Sequence, residues 1–196
     1  METLNNIIKS IGAGIAIAIG AIIYLSLGGW AGAVFFSIGL YLVLWFKLNL
    51  YTGKVGYLNS PKDIPNLLFM ILGNIIGCAL CAILIPAPAA YAVVIAKLST
   101  PIGLIFIKSI ICGILIYAGV DQFKAGRSYA PIIAVPAFIL CGAEHCIADI
   151  CFIFGALLYN TAIITPYLFL FLGVIIVGNA IGSVLMRAIS FDFTKK

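Results

Sequence analysis

The sequence predicts an all-α integral membrane protein, a single transmembrane domain over residues 1–196 with six spanning helices, and three observations lead there. Hydrophobic residues make up 64% of the chain and charged residues only 9%, against the roughly 25% charged of a typical soluble domain. Charge-free runs cover Ser10–Phe46, Ile64–Ala96, Ser109–Val120, Ser128–Ala143 and Ile150–Met186, and a helix needs about 20 mostly apolar residues to cross a bilayer. Across the junction of the last two runs lies Cys141-Gly142-Ala143-Glu144-His145-Cys146-Ile147-Ala148-Asp149, which holds the only histidine and two of the six acidic residues. Ionisable groups at such a depth are expensive, and their default reading is functional.

The first helix is expected from about Ile7 to Leu27, with Gly12, Gly14, Ala16, Ala18 and Gly20 forming a small face that permits close helix approach in lipid. It runs on past the length of a signal core and lacks a cleavage site, so it is expected to stay. Helix 2 should run from Trp30 to Phe46 and break at Lys47–Lys54, where polar residues and Gly53 interrupt the pattern. Irregular backbone at membrane depth needs a water-filled cavity or protein around it. Helix 3 is expected from Ile64 to Ile85, closed by Pro86 and Pro88, and an outer connection over Ala89–Pro101 carries Lys97. Helix 4 follows to Val120, with Lys108 snorkelling from its outer half. Helix 5 starts near Tyr129 and breaks at the Cys141–Asp149 stretch, while helix 6 spans Pro166–Ile189.

Basic residues follow these elements. Lys47, Lys54 and Lys62 come after helix 2, Lys124 and Arg127 join helices 4 and 5, and Arg187, Lys195 and Lys196 end the chain, so the positive-inside rule puts both termini in the cytoplasm. The net charge of +5 is therefore read as topology rather than nucleic-acid binding. The six cysteines fall in or beside spans and read as small hydrophobes without disulfides, Cys78-x-x-Cys81 included. An internal echo, Gly73-Asn74-Ile75-Ile76-Gly77 against Gly178-Asn179-Ala180-Ile181-Gly182, falls in the third and sixth helices, each after a broken helix. A three-helix unit repeated in this way must be inverted in the membrane, and paired breaks point to a midplane site at the repeat interface.

With helix 5 broken at Gly142, His145 lies in a loop and Asp149 in the first turn of the next half-helix, where the helix dipole favours a carboxylate. His145 reads either as an internally bonded tie for the loop or as a proton relay; with two acids within four residues, the relay is preferred. Asn74 and Asn179 read as interhelical glue or as pore-facing donors, Thr52 as a loop cap or a donor to a permeating ion. Lys97 reads as a solvent-facing charge or as a cation that draws anions to the outer mouth. One His, two Cys and no zinc spacing leave no metal site.

Taken together, Phe36-Ser37-Ile38-Gly39-Leu40, Leu50-Tyr51-Thr52, the two Gly-Asn-x-Ile-Gly segments, Lys97-Leu98-Ser99-Thr100-Pro101 and Glu144-His145-Cys146-Ile147-Ala148 resemble the formate/nitrite transporter family over nearly the whole chain. The resemblance implies an aquaporin-like channel domain and a homopentamer in the bilayer of the plasma membrane, each protomer with its own pore and no cofactor. It also implies passage of small monovalent weak-acid anions such as formate, nitrite, hydrosulfide, acetate or lactate, formate first. By position, His145 matches the central histidine, Lys97 the vestibule lysine, Thr52 the loop threonine and Asn179 the helix-6 asparagine. Leu40, Tyr51 and Phe138 match the apolar constrictions, and Glu144, Asp149 and Asn74 stand around them.

Three departures bear on selectivity. Tyr51 stands where Phe is usual and adds a hydroxyl to a constriction; Gly113 replaces an Asn; Asp149 replaces an Asn, and its carboxylate would favour a charged His145 yet repel an entering anion. The expected mechanism has the anion lose water, take a proton from solvent or His145, and cross as the neutral acid, because a bare anion pays far more for desolvation. The competing expectations are a nitrite or hydrosulfide channel of the same family and, from another class, a neutral-solute channel whose flux ignores pH.

Overall fold

The computed structural model describes residues 2–190, with side chains from residue 4 onward. Lys195 and Lys196, counted above among the basic residues after the last helix, lie outside the described residues. Among the described residues the structure is all helical: α1 (Glu2–Leu27), α2 (Gly29–Trp45), α3 (Tyr51–Lys54), α4 (Ile64–Leu80), α5 (Ala87–Leu98), α6 (Ile102–Lys124), α7 (Ala130–Leu140), α8 (Cys146–Tyr159) and α9 (Pro166–Ser190). Short 3₁₀ turns occupy Val55–Tyr57, Pro61–Asp63, Ala82–Leu84 and Thr161–Ile163. Four stretches, Leu4–Leu27, Pro61–Leu80, Ile102–Lys124 and Pro166–Ser190, are long and apolar enough to cross a membrane; α2, α5, α7 and α8 are shorter apolar helices.

One expectation needs correction. The segment Ala89–Pro101 is not a simple connection, because Ala87–Leu98 forms α5 with Lys97 in its last turn. Proline cannot continue a helix but is well suited to a first turn, so Pro86 and Pro88 end one element and start another. The stretch was too short to read as a span, and its helix is stabilised by packing against α8.

Close helix contacts set the architecture. α1 packs on α2 and α4, and α6 packs on α7 and α9. A Cβ added to Gly77 would lie 2.1 Å from the Ile11 carbonyl oxygen, and one added to Gly182 would lie 2.0 Å from that of Ile110. The glycines of the sequence echo therefore occupy matching places, each where one helix backbone touches another. Small residues of this kind drive association in lipid, where apolar surface alone gives no preference for protein over solvent. Outward-facing side chains such as Phe69 (65% exposed) and Ile83 (83%) are large and apolar, as lipid-facing surface requires. All six cysteines are free, and Cys78 packs at the α1–α4–α8 junction against Cys151.

Replacing Gly182 by Ala is expected to force α6 and α9 apart at a cost of roughly 1–3 kcal/mol, the usual range for overpacking. Thermal unfolding of the detergent-solubilised protein should show it as a lower midpoint, and an unchanged midpoint would mean the contact yields without penalty.

Candidate functional site

The site begins with two interruptions in the helices. α2 ends at Trp45 and α3 starts at Tyr51; α7 ends at Leu140 and α8 starts at Cys146. Each chain turns out of its helix through a positive φ, at Lys47 (50°) and at Gly142 (68°). Backbone polar groups freed in this way must find partners in a water-poor interior, and two buried asparagines provide them. Asn74 Nδ2 donates to the carbonyls of Ser10 (2.8 Å) and Asn49 (2.9 Å), while its Oδ1 accepts from the Tyr51 amide (3.0 Å). Asn179 Nδ2 donates to the carbonyls of Ser109 and Glu144 (both 2.8 Å), while its Oδ1 accepts from the Cys146 amide (2.9 Å). Both side chains are fully buried. Asn179, expected as a pore-facing polar group, instead spends its whole amide on backbone, and so does Asn74; the interhelical reading describes both.

These clamps bring Thr52 and His145 together. The Thr52 hydroxyl lies 2.9 Å from His145 Nε2, and His145 is the N-cap of α8, its Nδ1 accepting the Ala148 amide at 3.1 Å. Since Nδ1 is an acceptor, the network assigns the ring hydrogen to Nε2. The ring is therefore a neutral imidazole whose Nε2–H donates to Thr52. A second proton could enter only at Nδ1, where it would displace the helix cap. Phe138 stacks on the imidazole with centroids 5.6 Å apart, and Phe36 meets Phe138 edge-on. Leu40, Tyr51 and Phe138 are all buried. The Tyr51 hydroxyl, expected to make a constriction wetter, donates to the Ile176 carbonyl on α9 at 3.0 Å.

A cavity of about 270 Å³ reaches His145, lined among others by Tyr24, Phe36, Lys97, Lys108, Phe138, Glu144 and Asp149. Lys97 does not stand free in it: Nζ donates to Glu144 Oε2 and lies 2.9 Å from Asp149 Oδ1. Asp149 is 2% exposed, and its Oδ2 has no hydrogen-bond partner. Asp149 thus pairs with Lys97 rather than with the imidazole. Lys108, read from the sequence as a snorkelling residue, lines the same cavity; the only sequence signal for this was an unexplained charge near one end of an apolar helix.

A second cavity, of about 450 Å³, is lined by Val43, Leu44, Leu50, Gly53, Val120 and Phe123 together with Lys47, Lys54 and Lys124. Lys108 and Lys124 lie 16 residues apart on α6, so at 1.5 Å per residue the two cavities are separated by roughly 24 Å. Leu50 and Gly53 flank Thr52, which places the Thr52–His145 pair between them. At this far end the Lys124 ammonium sits over the Tyr57 ring, 3.4 Å from its centroid.

Apolar helices long enough to span a bilayer, two cavities at opposite ends and a polar pair between them are the parts of a membrane transport protein. The model of the formate/nitrite transporter family matches residues 1–191, and the chain belongs to that family. Among solved structures it is similar to an FNT family ion channel (TM-score 0.78, 20% identity, covering 95% of this chain and 87% of that one). It is also similar to a pentameric formate channel with formate bound (TM-score 0.75, 18% identity, 95% and 93%). At these identities the likeness shows the fold. A search among curated proteins found no match.

Asn179→Ala would leave the Cys146 amide and two carbonyls without partners, and unpaired buried groups cost roughly 1–3 kcal/mol each. The expected result is a lower unfolding midpoint and poor recovery of folded protein from the membrane fraction. Wild-type recovery and stability would show that water replaces the clamp.

Proposed function

We propose that the protein is a channel for small monovalent weak-acid anions, formate first among them, which cross as the protonated acid past His145 and Thr52. The observation that carries this reading is the cavity lined by Lys97 and Lys108 that reaches a buried neutral imidazole walled by Phe138 and Phe36. An anion gains from Lys97 and Lys108 at the entrance, but beyond it the walls offer no charge to replace its water. A carboxylate would pay heavily there, and its conjugate acid much less. Proton uptake at the end of the cavity is therefore the step that admits the solute to the constriction.

At the constriction the neutral acid replaces the hydrogen bond between His145 and Thr52 with bonds of its own, accepting from Nε2–H and exchanging with the Thr52 hydroxyl. Should His145 itself pass the proton, Nδ1 must first give up the Ala148 amide. The resemblance of the two Asn clamps, one at each helix break, supports six spans arranged as an inverted repeat of three, with helices 2 and 5 of that count broken. The homopentamer is carried over from the pentameric formate channel similar in fold, the plasma membrane from the family resemblance, and the basic loops favour both termini in the cytoplasm.

Reconstituted in liposomes, the protein should carry formate faster as the donor-side pH falls, because protonation then costs less. A panel of formate, nitrite, hydrosulfide, acetate and lactate fluxes across pH tests this, and a flux indifferent to pH would favour a neutral-solute channel. Asn is a good helix cap, so His145→Asn should keep α8 capped and the unfolding midpoint near that of the wild type while reducing formate flux about tenfold or more. Wild-type flux in that variant would remove His145 from the pathway. Lys97→Ala leaves Glu144 and Asp149 uncompensated, and the formate concentration for half-maximal flux should rise several-fold; an unchanged value would mean Lys97 does not help capture the anion.

A further inference from the structure

The outer cavity holds one carboxyl more than its ion pair needs. Lys97 on α5 faces both Glu144 and Asp149, and both acids are 2% exposed. Two ionised carboxylates on one ammonium leave that three-residue cluster at −1, with Lys108 the further cation on the cavity wall, and buried charge of this kind is solvated poorly. The geometry also separates the two acids. Asp149 uses Oδ1 toward Lys97 at 2.9 Å, whereas Oδ2, in a side chain that lines the cavity, has no partner. It is the one buried side-chain oxygen or nitrogen among the described residues left in that condition. The other titratable groups around it are Lys108 and Cys112 from α6, Tyr24 from α1, His145 at the cap, and Cys146 and Cys151 on its own helix. None of them hydrogen-bonds to Oδ2.

We propose that Asp149 holds a proton on Oδ2 and delivers it to the entering weak-acid anion, an inference that rests on the channel reading above. In this state Lys97, Lys108 and Glu144 give the cavity a net charge of +1, so an anion is drawn in rather than repelled. The Oδ2–H bond of Asp149 breaks as an O–H bond forms on the anion. The negative charge passes to Asp149, where Lys97 stabilises it, and the neutral acid leaves for His145. A proton from the outer water then restores the carboxyl. With Asp149 ionised, the same residues sum to zero and the attraction is gone, so each crossing requires reloading. This assigns a use to the carboxylate that otherwise stands as an obstacle to anions. It also frees His145 from breaking its cap.

Asp149→Asn keeps the shape and the Oδ1 contact with Lys97 but removes the titrating proton. It is expected to reduce formate flux in proteoliposomes about tenfold or more at neutral pH, within the range a positioned acid contributes, and to abolish the wild-type inflection in the pH profile. Asp149→Glu should keep that inflection. Infrared spectra of the reconstituted wild-type protein should show the carbonyl stretch of a protonated carboxylic acid that shifts with ¹³C-labelled aspartate, weakens as pH rises and is missing from Asp149→Asn. Wild-type flux and pH profile in Asp149→Asn would overturn the proposal. So would the absence of an aspartate-sensitive band in the wild type, a measurement that stands even if the variant does not assemble. A wild-type protein that passes no weak acid at all would defeat the channel reading instead, and the infrared band would still decide the state of Asp149.

Discussion

Two asparagine side chains hold this structure together at the points where its helices stop. A broken helix inside an apolar interior exposes carbonyls and amides that have neither water nor a next turn to bond to, and each costs as much as a lost hydrogen bond. Asn74 and Asn179 answer the same need in the same way, each with two bonds to carbonyls and one from an amide across the gap. With the gaps held open, Tyr51–Lys54 and Cys146–Tyr159 can start as new helices. Thr52 and His145 then meet because each stands at the start of one of them.

The clamps depend in turn on backbone contact. Gly14 lies against the Asn74 carbonyl and Gly113 against that of Asn179, so close that an added Cβ would come within 2.1 and 2.3 Å. Gly113, noted as a departure because an Asn was expected there, is thereby accounted for: no side chain fits beside Asn179. Packing of this kind leaves little freedom at the centre and places the polar atoms within narrow limits. Such rigidity suits a site that must strip water from a small solute and return comparable bonds at once.

Electrostatically the centre and the outer cavity are separate. The imidazole is neutral and committed to a cap, and the ionisable side chains Lys97, Glu144 and Asp149 cluster one step away from it. In the mechanism we propose, attraction and proton transfer belong to this cluster, while the aromatic walls and the His145–Thr52 pair govern what passes. An ion pair so deeply buried gains little stability by itself; its value here lies in holding a carboxyl where an anion arrives.

Much of this was legible in the sequence. Composition and the length of the apolar runs decided the membrane class, and the paired Gly-Asn-x-Ile-Gly segments marked the two clamps before any coordinates. The isolated Glu144-His145 pair marked the site, because charge is costly in apolar surroundings whatever the fold. Other features depended on which atoms meet across helices distant in sequence. Whether Asn179 faced a pore or a backbone, whether Lys97 was free or paired, and whether Lys108 pointed to lipid or to the cavity could not be read from spacing, since one helix presents several faces. The twelve-residue α5 was missed because its helix is supported by α8 rather than by its own length. The sequence by itself thus determined that the chain lies in a membrane with a polar island at its centre, through the cost of burying charge. Only the tertiary structure decided how those polar atoms pair, because their partners come from α3, α5 and α9.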